Sequence, residues 1–335
     1  MKSSALELFE IPLHDLFKIA DEVRKWKCGD TVTFVVERNI NYTNVCISRC
    51  KFCAFYARKK DEEFVLKKEQ IVEKVDEAVK LGATQIMLQG GLNPDLNIEY
   101  FEEVFSEIKR KFKVHLHSLS APEVLFLAKK EKMSIKEVLL RLKNAGLDSL
   151  PGGGAEILDD EVRKELSNKG TSEDWLKVMK IAHELGIPST ATMVFGHVEK
   201  PKHILNHLMK IKKLQDETRG FTAFIPWTFE PGKSELNLEK TSPLEYLKIV
   251  AISRIFLENF RNIQASWPTQ GIEIATLALL CGANDLGGVM IEENVLRATG
   301  KKFKFLSLEE IVRAAKSIGR PVAQRDTYYR ILRYF

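Results

Sequence analysis

Three thiols, Cys46, Cys50 and Cys53, stand within eight residues in the stretch Cys46-Ile-Ser-Arg-Cys50-Lys-Phe-Cys53. Thiolates are soft ligands suited to zinc and to iron-sulfur clusters. A structural zinc site takes four protein ligands, and neither His nor Cys follows within the next fifty residues. A ferredoxin-type carrier uses four cysteines per four-iron cluster, and the chain's other two, Cys28 and Cys281, lie far outside the motif and read as small buried residues. Three unconnected core thiols are the remaining alternative. If the three cysteines hold a four-iron cluster, one iron stays open, and an open metal position is what a catalytic centre needs.

Other candidate residues follow segments that read as strands. Gln89-Gly90-Gly91 offers backbone that a ligand can approach closely, although a Gly-Gly pair also serves as a plain turn. Pro151-Gly152-Gly153-Gly154-Ala155-Glu156 puts a carboxylate beside flexible backbone, where it could grip a sugar's hydroxyls or simply face solvent. Met193-Val194-Phe195-Gly196-His197-Val198-Glu199 ends on a histidine able to donate or accept a hydrogen bond, or to serve structure alone.

These motifs need a frame that gathers strand ends. Strand-like runs are read at 31–37, 84–88, 113–117, 147–150, 189–195, 222–226, 262–266 and 284–288, alternating with amphipathic segments such as 98–110, 171–185 and 201–216. Strands separated by helices favour a parallel sheet, and eight of them without a linker predict an α/β fold of (β/α)8 TIM type. A doubly wound open sheet is the alternative. The expected organisation is one domain over 1–335, with an N-terminal helical cap at 1–30, the barrel at 31–290 and a C-terminal cap at 291–335. In such a barrel, one rim carries the chemistry.

Composition narrows the partners. The net charge of +5 is the difference between 51 basic and 46 acidic residues, and the short basic runs lack interleaved aromatics, so no nucleic-acid partner is expected. The first fifteen residues show no signal-peptide core, and no apolar run reaches the roughly 18 residues of a membrane span. Five cysteines make an odd, small set that argues against a disulfide framework. A cytoplasmic protein without a membrane partner is expected.

The C-x3-C-x2-C spacing, with aromatic Phe52 before the last cysteine, resembles the radical S-adenosylmethionine (radical SAM) superfamily. The resemblance implies a 4Fe-4S cluster on Cys46, Cys50 and Cys53 whose fourth iron binds S-adenosyl-L-methionine. It implies further cofactor contacts from Phe52, Tyr56 and the Gln89-Gly90-Gly91 segment, with Glu156 on the ribose, Arg163 toward the methionine carboxylate, and Gly196 and His197 along the adenine. The resemblance covers nearly the whole chain, through Asn39-Ile40-Asn41-Tyr42-Thr43-Asn44, His115-Leu-His117-Ser118, Phe224-Ile-Pro-Trp-Thr-Phe229, Gln264-Ala-Ser-Trp267 and Gly282-Ala-Asn-Asp-Leu-Gly287.

These look like the group containing the radical enzymes of the futalosine route to menaquinone and the deazaflavin synthases. Pro226-Trp-Thr-Phe-x-Pro231, Ala265-Ser-Trp267 and Met290-Ile-Glu-Glu-Asn294 are most similar to the cyclic dehypoxanthine futalosine synthases. That implies a radical cyclisation of dehypoxanthine futalosine, begun by hydrogen abstraction at the sugar C4′ and primed by a donor such as flavodoxin or ferredoxin. Asn41, Trp227, Phe229 and Trp267 are then candidate substrate contacts, and His117, Glu230 and Asp285 candidate bases, with His115 sharing the strand face of His117. Aminofutalosine synthase and deazaflavin synthase chemistry are the near alternatives, and a non-catalytic iron-sulfur carrier the distant one.

Overall fold

The structure, a computed structural model, describes residues 6–335. Its strands are β1 (Val32–Val35), β2 (Glu37–Asn41), β3 (Gln85–Gln89), β4 (His115–Ser118), β5 (Ser189–Phe195), β6 (Phe221–Thr228), β7 (Asp285–Gly288), β8 (Val322–Arg325) and β9 (Ile331–Tyr334). All pairings among them are parallel except β8 with β9. Parallel neighbours require crossovers, and the helices between them supply these.

The ladders β2-β3-β4 and β5-β6 are joined by single bridges rather than full strands. Ser149 bridges to His117 and Leu150 to Ser189; Ile263 bridges to Phe224 and Gln264 to Asp285. β7 pairs with β1, which runs on into β2 through Val36. Followed through these pairings, the wall returns to its starting strand. The fold is a TIM-type α/β barrel in which the expected strands at 147–150 and 262–266 are reduced to bridges.

The helices carry the pattern that places them outside. Helix Ile98–Lys111 buries Ile98, Phe101, Val104, Phe105 and Ile108, three and four residues apart, and ends on Lys109, Arg110 and Lys111, where positive charge complements the helix dipole. Ser134 with Glu137, Thr171 with Asp174, and Ser307 with Glu310 close capping boxes that satisfy otherwise orphaned amides. The N-terminal helix, Leu13–Cys28, packs on the outer helix Pro243–Phe256.

The first strand differs most from its expected form. It continues past the expected end at residue 37 to Asn41, so Asn39 and Asn41 lie in the wall. The break at Val36 has a cause: its carbonyl accepts the amide of Thr84 (3.0 Å), which starts β3 on the new segment. The chain also holds two strands beyond residue 291, where a cap was expected. β8 lies beside β1, and the hydroxyl of Thr327, just after β8, donates to Gln85 Oε1 (2.6 Å) at the amino end of β3. The C-terminal segment thereby closes the barrel floor.

Candidate active site inside the barrel

A cavity of about 320 Å3 runs down the barrel interior. Phe52, Trp227 and Phe229 line it on the side of the cysteine loop, together with Cys53, Gln89, Gly153, Gly154 and Glu156. Deeper in, the lining turns polar, with Glu37, Asn39, Gln85, His117, Gln264, Glu293, Arg325 and Thr327. Strand periodicity explains part of this, because Val35, Glu37 and Asn39 alternate inward along one strand.

The cysteine loop is tied at several points. The amide of Ile47 donates to the Leu92 carbonyl (3.1 Å), that of Lys51 to Leu166 (2.9 Å) and that of Cys53 to Cys50 (3.0 Å). Cys50 is buried beside the Ser48 hydroxyl (3.2 Å), whereas Cys46 and Cys53 are partly open. Gly91 lies so close to this loop that a Cβ would collide with the Val45 carbonyl, and a Cβ on Gly90 would come within 2.8 Å of the Tyr42 ring. The Gly90 amide donates to Glu123 Oε1 (3.0 Å), which also accepts from the Tyr42 hydroxyl (2.6 Å). The Gly-Gly pair is therefore a backbone surface pressed against the thiol loop.

Glu156 and Arg163 are both buried and ion-paired, with Glu156 Oε2 3.7 Å from Arg163 Nη1, and each keeps one side-chain atom without a hydrogen bond: Glu156 Oε2 and Arg163 Nη2. The guanidinium is otherwise held by the carbonyls of Ala155 (2.7 Å), Gly154 (3.1 Å) and Gly170 (3.1 Å). Glu156 Oε1 accepts from Lys169 Nζ (3.0 Å), and that ammonium lies 5.1 Å over the Phe52 ring. Burial alone would lower the pKa of Lys169, but the thiolates of Cys50 and Cys53 and the Glu156 carboxylate hold it above its usual value. A buried acceptor, a buried donor and a cation beside Cys50 and Cys53 form a set with hydrogen-bonding capacity to spare. Those atoms fit a hydroxyl-bearing, carboxylate-bearing cofactor next to a negatively charged metal cluster.

The structure separates the remaining candidates. His117 faces the cavity, whereas His115 opens toward the outside of the barrel. Glu230 lines the cavity and is paired with Lys301 (2.9 Å). Asp285 does not line it. Its carboxylate accepts from Arg325 Nε (2.5 Å) and Nη2 (2.8 Å), the Thr33 hydroxyl (2.5 Å) and the Gly287 amide (2.7 Å), which corrects its reading as a base, because no lone pair faces a substrate.

Trp267 stacks on Phe303 with its indole donating to the Gly288 carbonyl (2.9 Å), away from the cavity. Asn41 lies off the lining and donates to the Gln89 carbonyl (3.2 Å); Asn39 takes the inward position. The Tyr56 hydroxyl donates to Glu235 (2.8 Å). The Gly196-His197 turn is held internally, with the His197 ring on the Val194 carbonyl (2.8 Å) and Glu199 (2.8 Å).

With the geometry in place, comparison with known proteins decides the family. The model for the radical SAM superfamily matches residues 40–211, which include the thiol loop, the Gly-Gly segment and the Glu156 loop. The chain belongs to the radical SAM superfamily. Residues 218–334 match the CofH/MqnC C-terminal region, which takes in β6, the Trp227 wall and the barrel floor.

The chain is 45% identical to cyclic dehypoxanthine futalosine synthase of Streptomyces coelicolor, over 97% of this chain and 84% of that one. It is 43% identical to 5-amino-6-(D-ribitylamino)uracil--L-tyrosine 4-hydroxyphenyl transferase of Methanocaldococcus jannaschii, over 99% and 96%. The crystal structure of methylornithine synthase (PylB) shares the fold, with a TM-score of 0.76 at 19% identity over 96% of this chain and 93% of that one. The protein is thus a radical SAM enzyme, a family that binds a 4Fe-4S cluster and S-adenosylmethionine. No helix among the described residues is long and apolar enough to cross a membrane.

Sequence reading missed Glu37, Asn39, Gln85, Glu293, Arg325 and Thr327 of this radical SAM cavity. A signal was present for Glu37: it shares strand parity with Val35, and an inward carboxylate in a buried strand has to be paired or functional. Burial pushes the Glu37 carboxyl up to about 7, against the pull of Arg325 and the Gln85 amide. Between an unfolded value of about 4.3 and that folded value, the unfolded chain has released a proton that the folded chain retains. Stability therefore falls as pH rises through this window and levels off above it. Glu37→Gln is expected to remove that slope and to be more stable than wild type at pH 8 by roughly 2–4 kcal/mol, with little difference at pH 4. Denaturant midpoints across this range measure it, and parallel slopes for the two proteins would refute it.

Proposed function

We propose that this radical SAM enzyme closes dehypoxanthine futalosine to its cyclic product, a step of menaquinone biosynthesis. The observation that carries the reading is the division of one continuous cavity into an aromatic part, with Phe52, Trp227 and Phe229, and a hydrogen-bonding part with Glu37, Asn39 and Gln85. A single molecule joining an aryl group to a sugar matches both parts. The similarity to cyclic dehypoxanthine futalosine synthases over nearly the whole chain supports it.

In this reading Cys46, Cys50 and Cys53 hold the cluster, with a reduced flavodoxin or ferredoxin as electron source. The Gly90-Gly91 backbone, Glu156 and Arg163 hold S-adenosylmethionine. When bound, cluster and cofactor would supply the one-electron chemistry that takes a hydrogen from the sugar C4′. Trp227 and Phe229 fix the aryl ring near that carbon and exclude water, which shortens the radical's path to the ring. The final step releases an electron to a one-electron acceptor and a proton to the protein. His117 is the group suited to the proton: its Nδ1 is taken by the Ser149 hydroxyl (2.6 Å), leaving Nε2 for the substrate. Burial keeps the ring's pKa well below the usual histidine value, so it is neutral and able to accept.

The tyrosine 4-hydroxyphenyl transferase reaction is the second reading, favoured by the 43% identity over 99% of the chain. One experiment separates the two. Reduced, cluster-loaded enzyme is given dehypoxanthine futalosine in one tube, and tyrosine with 5-amino-6-(D-ribitylamino)uracil in another. A product lighter than dehypoxanthine futalosine by two hydrogens is expected in the first tube only. Its absence while deoxyadenosine forms, or coupling in the second tube, would overturn the proposal.

A further inference from the structure

We propose that His117, Ser149 and His115 form a proton path along β4, carrying the proton released in the cavity to the groove at the amino end of that strand. The inference rests on the proposed reaction, which must release a proton inside the cavity.

The Ser149 hydroxyl lies between the two rings, 2.6 Å from His117 Nδ1 and 2.7 Å from His115 Nε2. His117 and Ser149 are buried, and His117 lines the cavity. His115 is half-buried and opens on a groove that it shares with Lys109, Lys113, Asp148 and Tyr328. The three groups thus reach from the reaction space to solvent without a gap longer than one hydrogen bond.

A hydroxyl has one proton to donate, so it can serve only one ring as donor and must accept from the other. The two tautomers are therefore linked. In the starting state His117 Nδ1–H donates to Ser149, Ser149 donates to His115 Nε2, and His115 Nδ1–H faces the groove. A proton taken at His117 Nε2 moves Nδ1–H to Ser149 Oγ, the serine's own proton to His115 Nε2, and the His115 Nδ1 proton to water. One proton enters, one leaves, and each of the three groups ends neutral. The reverse tautomer resets when product departs and water refills the cavity.

The surroundings favour passage over storage. Burial holds the His117 pKa well below normal, with His115 and Arg325 adding to this, and takes that of His115 down to about 4. His115 also faces Asp148, Lys109, Asp326 and Arg330, with Tyr328 edge-on at 5.0 Å. Asp148 is fixed at the edge of this groove, its Oδ2 accepting from Lys109 (2.6 Å) and the Leu116 amide (2.7 Å).

His115→Gln and Ser149→Ala test the path, with Ser149→Thr as the variant that keeps the hydroxyl. The glutamine amide can still donate to Ser149 but cannot pass a proton on. Deoxyadenosine should still form, while product per deoxyadenosine falls roughly tenfold or more in His115→Gln and Ser149→Ala and recovers in Ser149→Thr. The solvent deuterium effect on product formation should change in the first two variants only.

Independently of turnover, ring 15N spectra of the isolated protein at neutral pH should show two neutral histidines of matching tautomer, both Nδ1–H in the starting state, a match that Ser149→Ala abolishes. Wild-type product ratios in both His115→Gln and Ser149→Ala, or tautomers indifferent to Ser149→Ala, would overturn the path. If dehypoxanthine futalosine is not turned over by wild type, the functional reading fails instead; the spectra and the ratio measured on the accepted substrate still judge the path.

Discussion

Cys50→Ala is expected to remove the iron and, with it, all detectable deoxyadenosine formation, while leaving the barrel folded. The substitution deletes one sulfur from a buried position whose local contact is the Ser48 hydroxyl, so little packing is lost. The loop that carries it is fastened by backbone bonds from Ile47, Lys51 and Cys53, none of which uses the thiol. Two thiols cannot replace three on a four-iron cluster, and without the cluster no electron reaches the cofactor. Iron content per chain, far-UV circular dichroism and deoxyadenosine yield read the three parts of the claim. Collapse of the helical signal with iron retained, or undiminished deoxyadenosine, would refute it.

The parts of the molecule legible in sequence are those where local pattern and global role coincide. β5 is a run of seven residues, Ser189–Phe195, read at its full extent because apolar and β-branched residues dominate it. The thiol spacing and the Gly-Gly pair were visible because their chemistry sits in consecutive residues. The first strand was read as ending at residue 37 because Arg38-Asn39-Ile40-Asn41 is largely polar, yet those side chains face a cavity and buried partners: Asn39 donates to Glu293 (2.9 Å) and Arg38 to Glu292 (2.7 Å). Each partner lies about 250 residues away in the chain, beyond any local pattern. The floor built by Arg325 and Thr327 was missed for the same reason. Trp267 shows the opposite error: a tryptophan after a wall position suggests a cavity wall, but its indole found the Gly288 carbonyl and its face found Phe303.

That floor gives the largest expected effect on stability. Asp285→Ala should cost about 3–5 kcal/mol, because it strips a buried guanidinium of its bidentate partner. The side chains of Asp285 and Arg325 are 0% and 4% exposed, so water cannot replace the lost carboxylate. Arg325 would keep no carboxylate hydrogen bond, only the Asp326 carbonyl (3.1 Å), the Tyr329 ring 3.9 Å away and the through-space pull of Glu37. The pair also spans the sheet, since β7 and β8 flank β1 on opposite sides, and the Thr33 hydroxyl of β1 joins the same carboxylate. Denaturant midpoints of the cluster-free protein measure the loss. The double variant Asp285→Leu with Arg325→Met, which removes both partners of the pair, should recover at least half of it at pH 5, where Glu37 is protonated, because the cost lies mainly in orphaning one ion. A single variant as stable as wild type, or a double variant with additive losses, would refute this account. Because Arg325 and Thr327 both line the cavity, loosening their anchor should open the amino-terminal end of the barrel to water, so that the variant wastes deoxyadenosyl radicals even where it remains folded.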